Sequence, residues 1–236
     1  MRRYRQVTSW LQMAAIAAIV MLWSGATPAW ADTAQERLAT SAMVLTEIMA
    51  TPDQGIPDDL LRSAYCVVIV PGVKNVGFVV GGKYGRGFAT CRKDTQAGWG
   101  APAAVRIEGG SFGFQIGASA TDLVMLVMDQ RSINGLLSSK FTLGGAAEVA
   151  AGPVGRSGTA QTDATFQAKI LSYSRSRGAF AGLALTGATL REDRDENNEL
   201  YGRPVSNKEI LDGTMTPPAA AAPLLGLLNQ YSHRAA

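Results

Sequence analysis

The chain has 236 residues, of which 47% are hydrophobic and 17% are charged. This composition is typical of a globular protein and excludes a disordered chain, and the length suits one domain or two small ones. The formal net charge is +3, but three of the 22 basic residues and none of the 19 acidic ones lie within residues 1–31. The remainder is therefore formally neutral, and its charge gives no argument for nucleic acid as a partner.

Residues 1–31 have the three parts of a secretion signal. Three arginines fall within the first five residues, residues 13–23 are apolar, and residues 29–31 (AWA) form a small-x-small cleavage pattern. The apolar run is short for a helix that spans a bilayer, which disfavours a retained membrane anchor. We therefore expect cleavage after Ala31 and a working protein in the periplasm or outside the cell.

Cys66 and Cys91 are the only two cysteines. Export would place them in a compartment that permits disulfides, so a bridge is favoured over two buried free thiols. Such a bridge would add about 3 kcal/mol to the free energy of unfolding in the chain-entropy model. The chain has no C-x-x-C motif, so thiol redox catalysis is not indicated.

Apolar spacing predicts a helix over residues 33–50 and a shorter one from Pro57 to Arg62. From Tyr65 onward, short apolar or alternating runs with glycine turns between them predict strands at 66–70, 76–80, 86–92, 103–108, 111–116, 123–128, 146–151, 166–173 and 179–185. Further helices are predicted at 132–139, after a capping box at 206–209, and at 223–231. This order indicates an α+β fold with an antiparallel β-rich core.

The predicted elements divide the chain into four segments. Residues 1–31 are the predicted signal peptide, and 32–63 form an N-terminal helical segment. Residues 64–212 form the main domain. The last segment, 213–236, contains the Pro/Ala-rich run TMTPPAAAAP and is predicted to be a linker with a C-terminal tail.

Two catalytic motifs are matched only in part. Residues 109–113 (GGSFG) fit the G-x-S-x-G pattern around Ser111, but the alternation of the following residues is typical of a strand, and a nucleophile elbow needs a strand, a sharp turn and a helix. The only histidine, His233, is three residues from the C-terminus. Residues 77–83 resemble the start of a P-loop, but Tyr84 replaces the Ser/Thr that would hold magnesium. Neither motif supports an enzyme, and no cofactor is expected.

An acidic segment, EDRDENNE, begins at residue 192. Its alternating oxygen ligands resemble the first half of a calcium loop and are Asp193, Asp195, Asn197 and Glu199. The later glycine and glutamate of an EF-hand are replaced by Asn198 and Pro204. A solvated charged loop is the alternative, and an irregular calcium site is the less favoured interpretation.

Basic residues are concentrated between residues 74 and 106, where Asp94 is the single acid. The six are Lys74, Lys83, Arg86, Arg92, Lys93 and Arg106. On one strand, Arg86, Phe88, Thr90 and Arg92 would share a face. With Tyr84 and Trp99 nearby, this face could meet anionic lipid headgroups, and a solvated sheet surface fits the same pattern equally well.

Residues 64–210 resemble the SYLF family, a lipid-binding domain also described as the actin-binding domain of yeast actin-patch proteins. The likeness covers about 147 residues in unbroken order, and it is most similar to exported bacterial members. The segments that carry it are VVIVPGVKNVGFVVGGKYGRG (67–87), GWGAPAAVRIEGGSFGFQIGASATDLVMLVM (98–128), AAGPVGR (150–156), ILSYSRSRGAFAGLALTGATL (170–190) and NNELYG (197–202).

The resemblance implies binding to anionic phospholipids, as to phosphoinositides in eukaryotic relatives, without enzymatic activity or a cofactor. Some relatives bind membranes partly through an amphipathic helix before the domain. Its positional counterpart here, 33–50, has one basic residue, Arg37, whereas helices that lie on anionic lipid are usually rich in Lys and Arg. Actin is not expected as a partner of an exported bacterial protein. The alternative function is a structural or protein-interaction role at the cell envelope with an acidic partner.

Overall fold

The computed structural model of the protein describes residues 32–51, 55–93, 98–129, 132, 140–143, 149–152, 169–176, 179–182 and 188–232. For 76–80, 111–119, 141, 149–151, 176 and 179–182 it describes the backbone alone. The described helices are α1 (Ala34–Met49), α2 (Asp58–Ser63), α3 (Arg194–Tyr201), α4 (Asn207–Leu211) and α5 (Ala222–Tyr231), with a 3-10 turn at Ala219–Ala221. The strands are β1 (Cys66–Cys91), β2 (Ala103–Val127), β3 (Lys140–Thr142), β4 (Val149–Ala151), β5 (Ile170–Ser176), β6 (Ala179–Gly182) and β7 (Thr189–Glu192).

The seven described strands form one sheet around β2. The order along its main path is β3-β7-β2-β5-β4, and β1 pairs with β2 while β6 pairs with β5. All of these pairings are antiparallel except β4 with β5. The predicted α+β fold with an antiparallel β-rich core is confirmed. The predicted signal peptide and most of the predicted helix at 132–139 lie outside the described residues.

The glycine-rich breaks predicted inside β1 and β2 are not turns, and six predicted strands merge into two. β1 has 26 residues and β2 has 25, paired from Cys66↔Val127 to Ala89↔Ala103. Pro71 and Gly72 form a bulge in which Gly72 takes a φ of 56°. Elsewhere Gly77 lies opposite Gly117 and Gly82 lies opposite Gly110, so these glycines are part of extended, paired strands.

β1 bends back until its two ends meet. A straight strand of 26 residues would be roughly 80 Å long, yet the Cα atoms of Cys66 and Cys91 are 4.0 Å apart. Gly87 makes this possible, because a Cβ there would overlap the backbone of Ile69 and Val70. A disulfide joins Cys66 to Cys91, which confirms the predicted bridge.

Both sides of the sheet are buried. On one side Val67, Ile69 and Phe88 lie in the same apolar cluster as α1 and α5, and on the other Val68, Val70 and Ile107 share a cluster with α4. No helix within the described ranges is both long and apolar enough to cross a membrane.

The segment interpreted as a linker and tail packs on this core up to Ser232. Ala221, Leu224 and Leu228 are almost fully buried in the cluster that contains α1. Pro223 lies in the first turn of α5, where proline costs no hydrogen bond. The helix predicted at 223–231 is therefore present as α5, and it buries its apolar side against α1.

The helix predicted over 33–50 is confirmed, and a local hydrogen-bond pair determines where it begins. Thr33 Oγ1 accepts from the backbone N–H of Glu36, and the Glu36 carboxylate accepts from the backbone N–H of Thr33.

Thr33→Ala is expected to lower the free energy of unfolding by about 1 kcal/mol, because an N–H at the helix start loses its acceptor. Urea unfolding followed by circular dichroism measures this change. Thr40→Ala is the matched control: the Thr40 hydroxyl bonds only to a carbonyl of the previous turn, so stability should be unchanged or slightly higher. An equal loss in both variants would contradict the capping role.

Candidate functional site

Arg86 forms ion pairs with two buried carboxylates. Its Nε and Nη2 donate to the two Asp193 oxygens at 2.6 and 2.9 Å, and its Nε is 3.1 Å from Glu196. Arg37 of α1 donates to Glu196 at 2.6 Å. Both carboxylates are 1% exposed or less. These four side chains hold α1 and α3 against β1.

The charges of this group influence one another strongly. Burial alone would raise the pKa of Asp193, but the hydrogen bonds and charge of Arg86 hold that pKa below its ordinary value. Burial raises the pKa of Glu196, against the opposing effect of Arg37. The Glu196 Oε2 accepts no directed hydrogen bond, although Arg86 is within ion-pair distance.

Arg92 also has a structural role. Its guanidinium donates to the carbonyls of Ala64 and Ser232 at 3.0 and 2.9 Å and stacks over the Trp99 ring at 4.3 Å. Trp99 is itself buried and donates its indole N–H to Ser232. Arg92 therefore ties the start of β1 to the end of α5.

The face predicted to meet headgroups is therefore mostly internal. Phe88 and Thr90, between Arg86 and Arg92, are 1% and 2% exposed. Their strand alternation was predicted correctly, and helices cover the sheet around Phe88. Arg86 and Arg92 therefore bind protein groups, and Trp99 is buried.

The candidate calcium ligands bind protein groups. Asn197 accepts from the backbone N–H of Ala104 at 2.7 Å, Glu199 accepts from the N–H of Ala34 at 2.9 Å, and Asp193 pairs with Arg86. Asp195 is exposed. Among the described residues, no group of three or more acidic, His or Cys side chains is arranged to hold a metal.

The alternative prediction for this acidic segment, a solvated loop, is wrong, because residues 194–201 form the helix α3. Asp193 caps its first turn, and Gly202, at a φ of 67°, ends it. Asp193, Glu196 and Asn197 are buried. The local signal was present in the sequence as an Asp followed three residues later by Glu, with a glycine after the last turn.

Lys74 and Lys83 lie on the part of the β1–β2 pair that extends past the other described strands. Within the described residues, the segments 73–83 and 109–121 pair only with each other, and we call them the ribbon. Lys74 is exposed and Lys83 is half-buried, and burial lowers the pKa of the Lys83 ammonium. No described carboxylate forms an ion pair with either lysine.

Lys93 and Arg106 lie elsewhere. Lys93 is half-buried, and its side chain is beside Gly213. Arg106 is on β2, where Glu108 contacts it at 2.8 Å. Arg191 on β7 contacts the same carboxylate at 3.0 Å. The six basic residues thus form several groups instead of one patch, and Arg191 was not predicted because β7 pairs with a strand far away in the sequence.

The two partial catalytic motifs fall within strands. Ser111 lies in β2, and residues 77–83 lie in β1, so neither opens a helix. His233 lies outside the described residues.

Comparison with known proteins gives a family. The family model described as Ysc84, Las17-binding protein actin regulator, matches residues 108–231. LAS seventeen-binding protein 3 of Saccharomyces cerevisiae is 36% identical over 180 residues, which are 75% of this chain and 39% of that protein. The human SH3 domain-containing YSC84-like protein 1 is 32% identical over 184 residues, 78% of this chain and 53% of that protein.

An SH3 domain-containing protein of Schizosaccharomyces pombe is 38% identical over 177 residues, 74% of this chain and 41% of that protein. The chain thus spans about two fifths of the length of these yeast relatives and about half that of the human one. The family description names binding and regulation and no catalysis. Because the family model matches more than half of the chain, the chain belongs to the Ysc84 family, the SYLF family that its sequence resembles.

Proposed function

We propose that this protein is a non-catalytic module that binds membranes containing anionic phospholipids and that it contacts them through the ribbon. The observation that carries the proposal is the charge of this segment. Its two chain segments contain Lys74 and Lys83, no acidic residue and many valines, phenylalanines and glycines. Basic groups among apolar ones suit a surface where headgroup phosphate borders hydrocarbon.

The position of the ribbon supports the same function. Its strands pair only with each other within the described residues, whereas both ends of the β1–β2 pair are covered by other elements. Tyr84, directly after Lys83, is 48% exposed. A tyrosine at such an edge suits an interface because its ring is apolar and its hydroxyl is polar.

Helix α1 is an unsuitable membrane contact. Its apolar residues Leu38, Leu45 and Ile48 are fully buried against the sheet. Its only basic residue, Arg37, is paired with the buried Glu196. Releasing α1 onto a bilayer would expose this core and leave Glu196 with one cation fewer, so we assign α1 to covering the sheet.

We further propose that the protein works outside the cytoplasm. The basic, apolar and small-residue parts of segment 1–31 support this proposal, as does the disulfide, which forms in oxidising compartments. Mass spectrometry of the N-terminus from the native host tests it: a start at Asp32 is expected, and an intact N-terminus in a reducing compartment would contradict it.

Co-sedimentation of the purified full chain with vesicles tests the lipid function. Binding is expected to anionic vesicles but not to neutral ones, and to weaken at about 0.15 M salt, where exposed charges more than about 8 Å apart are largely screened. Lys74→Gln with Lys83→Gln should weaken binding roughly 30-fold, since each basic group contributes about 1 kcal/mol near an anionic surface.

The matched control is Lys169→Gln with Lys208→Gln, which removes the same charge outside the ribbon. This variant should bind nearly as the unchanged protein does. Because all variants share residues 1–31, any contribution of that segment cancels. Equal weakening in the two double variants would refute the ribbon as the contact, and absence of binding to every vesicle would refute the lipid function.

A protein partner is the second candidate function. Its specific support is that relatives of this chain are named for binding LAS seventeen and that the family description names an actin regulator. In this interpretation the basic groups engage an acidic protein of the envelope. Pull-down from envelope extract, with and without lipid extraction, separates the two: a partner retained after delipidation and lost with Lys74→Gln and Lys83→Gln favours the protein.

A further inference from the structure

Four basic residues occupy directly opposed positions on four neighbouring strands. Arg86 of β1 is the register partner of Arg106 on β2, Arg106 is the partner of Arg191 on β7, and Arg191 is the partner of Lys140 on β3. Directly opposed residues of antiparallel strands point to the same face of the sheet. With strands about 4.8 Å apart, the row is roughly 15 Å wide.

Within this row, Arg106 and Arg191 share one carboxylate. Glu108 is 2.8 Å from the Arg106 Nε and 3.0 Å from the Arg191 Nε. Neither contact is a directed hydrogen bond, and both Nε atoms are buried without an acceptor. Arg86, in contrast, is neutralised by Asp193 and Glu196.

This arrangement opposes folding. Like charges at directly opposed positions of a sheet repel one another. Glu108 is the one described carboxylate in ion-pair contact with these two guanidinium groups, and the charge of Asp193 acts on Arg106 without such a contact. Among the described residues, no further acceptor bonds to Arg106 or Arg191. A bound anion would supply the missing negative charge.

The outer side of the row is accessible. The side chains of Arg106 and Arg191 are 35% and 37% exposed, and Lys140 is exposed at the sheet edge. Ile107 and Leu190, which point to the other side of the same strands, are buried. The site therefore has a rigid floor and an open side.

We propose that Arg106 and Arg191 bind a phosphomonoester dianion. A monoester has three free oxygens and two charges at neutral pH, which suit two guanidinium forks, whereas a phosphodiester offers two free oxygens and one charge. Where the phosphate belongs to a lipid headgroup, this proposal rests on the proposed lipid function and makes it more specific. A soluble phosphomonoester has the same chemistry and is the other source.

The test uses the full chain with two kinds of vesicle at matched zeta potential. One contains phosphatidic acid, a monoester, and the other phosphatidylglycerol, a diester. We expect about tenfold tighter binding to phosphatidic acid, because one or two further charge-assisted hydrogen bonds form. The double variant Arg106→Gln with Arg191→Gln should abolish this preference. The double variant Lys74→Gln with Lys83→Gln should weaken binding to both kinds of vesicle and leave the ratio of the two affinities unchanged.

Glu108→Gln gives a prediction of opposite sign. It removes the negative charge that competes with phosphate, so binding to phosphatidic acid should become several-fold tighter. Titration calorimetry with glycerol 3-phosphate identifies the source. Soluble binding lost in the double arginine variant supports the site with a soluble ligand, even if no vesicle binds and the lipid function fails.

Equal binding to both vesicles, together with no heat from glycerol 3-phosphate, would overturn the site while leaving the lipid function standing. A preference for phosphatidic acid that survives the double arginine variant would also overturn it. Unfolding temperatures of all variants show whether each is folded, and Arg106→Lys with Arg191→Lys should restore part of the preference because the charge is kept.

Discussion

Asp193→Ala is expected to lower the free energy of unfolding by about 3 to 4 kcal/mol. The side chain is 1% exposed, accepts two hydrogen bonds from Arg86 and caps the first turn of α3 through the backbone N–H of Glu196. Removing one partner of a buried ion pair leaves the other charge without compensation, and loss of a helix cap adds to this cost. Glu196 remains beside Arg86 and limits the loss.

Thermal unfolding followed by circular dichroism would show this as a decrease of about 10 °C in Tm for a domain of this size. Asp195→Ala is the matched control, since Asp195 carries the same charge in the first turn of the same helix but is exposed. We expect a change within about 0.5 kcal/mol for the control. Comparable losses in both variants would mean that helix charge, and not the ion pair, stabilises this region.

The effect of Asp193→Ala should depend on pH. The pKa of Asp193 is held below its ordinary value of 3.8, so ionised Asp193 stabilises the fold above that pH. As pH falls through the lowered pKa, the carboxylate protonates and this contribution is lost. The difference in stability between the two proteins should therefore be constant near neutrality and shrink below about pH 4.

Loss of the disulfide is expected to lower the free energy of unfolding by about 3 kcal/mol. Cys66 and Cys91 are 25 positions apart, and the bridge restricts the unfolded chain by closing this loop. The ends of β1 keep other contacts, because the Arg92 backbone N–H donates to the Tyr65 carbonyl and β1 stays paired with β2. The reduced protein should therefore fold to the same structure with lower stability.

Urea unfolding with and without dithiothreitol measures this effect. The unchanged protein should lose stability on reduction, whereas Cys66→Ala with Cys91→Ala should be equally unstable in both conditions. Vesicle binding of the reduced protein should be retained under conditions where it remains folded, since the ribbon is distant from the bridge in strand register. If reduction left the free energy of unfolding unchanged, the expected contribution of the bridge would be contradicted.

The elements that were predicted correctly depend on residues close together in the chain. Helix α1 follows from the spacing of Leu38 and Leu45 and begins at a capping box within four residues, and the box at Ser206 and Glu209 opens α4 in the same way. The pairing of the disulfide could be predicted without a structure, because the chain has only two cysteines. Family resemblance added the expectation of lipid binding, which remains a proposal.

The errors arose where the partner of a residue is distant in the sequence. The local sequence around Gly82 predicts a turn, but Gly82 pairs with Gly110 and lies within an extended strand. Arg86 has the pattern of a surface cation, but it forms an ion pair with the buried Asp193, which lies 107 positions later in the chain. The local sequence pattern cannot identify such partners, because strand register and helix packing determine which distant residues meet.

By itself, the sequence determined the starts of α1 and α4, the strand character of most of residues 66–91 and 103–127, the cysteine pair and the family. Those properties depend on residue spacing, side-chain chemistry and short-range hydrogen bonds. Only the tertiary structure decided which basic residues are available to a ligand. In the folded protein Arg86 and Arg92 bind protein groups, whereas Arg106 lies opposite Arg191 on the neighbouring strand. Strand register brings together residues that are distant in the sequence, and a buried charge needs a partner.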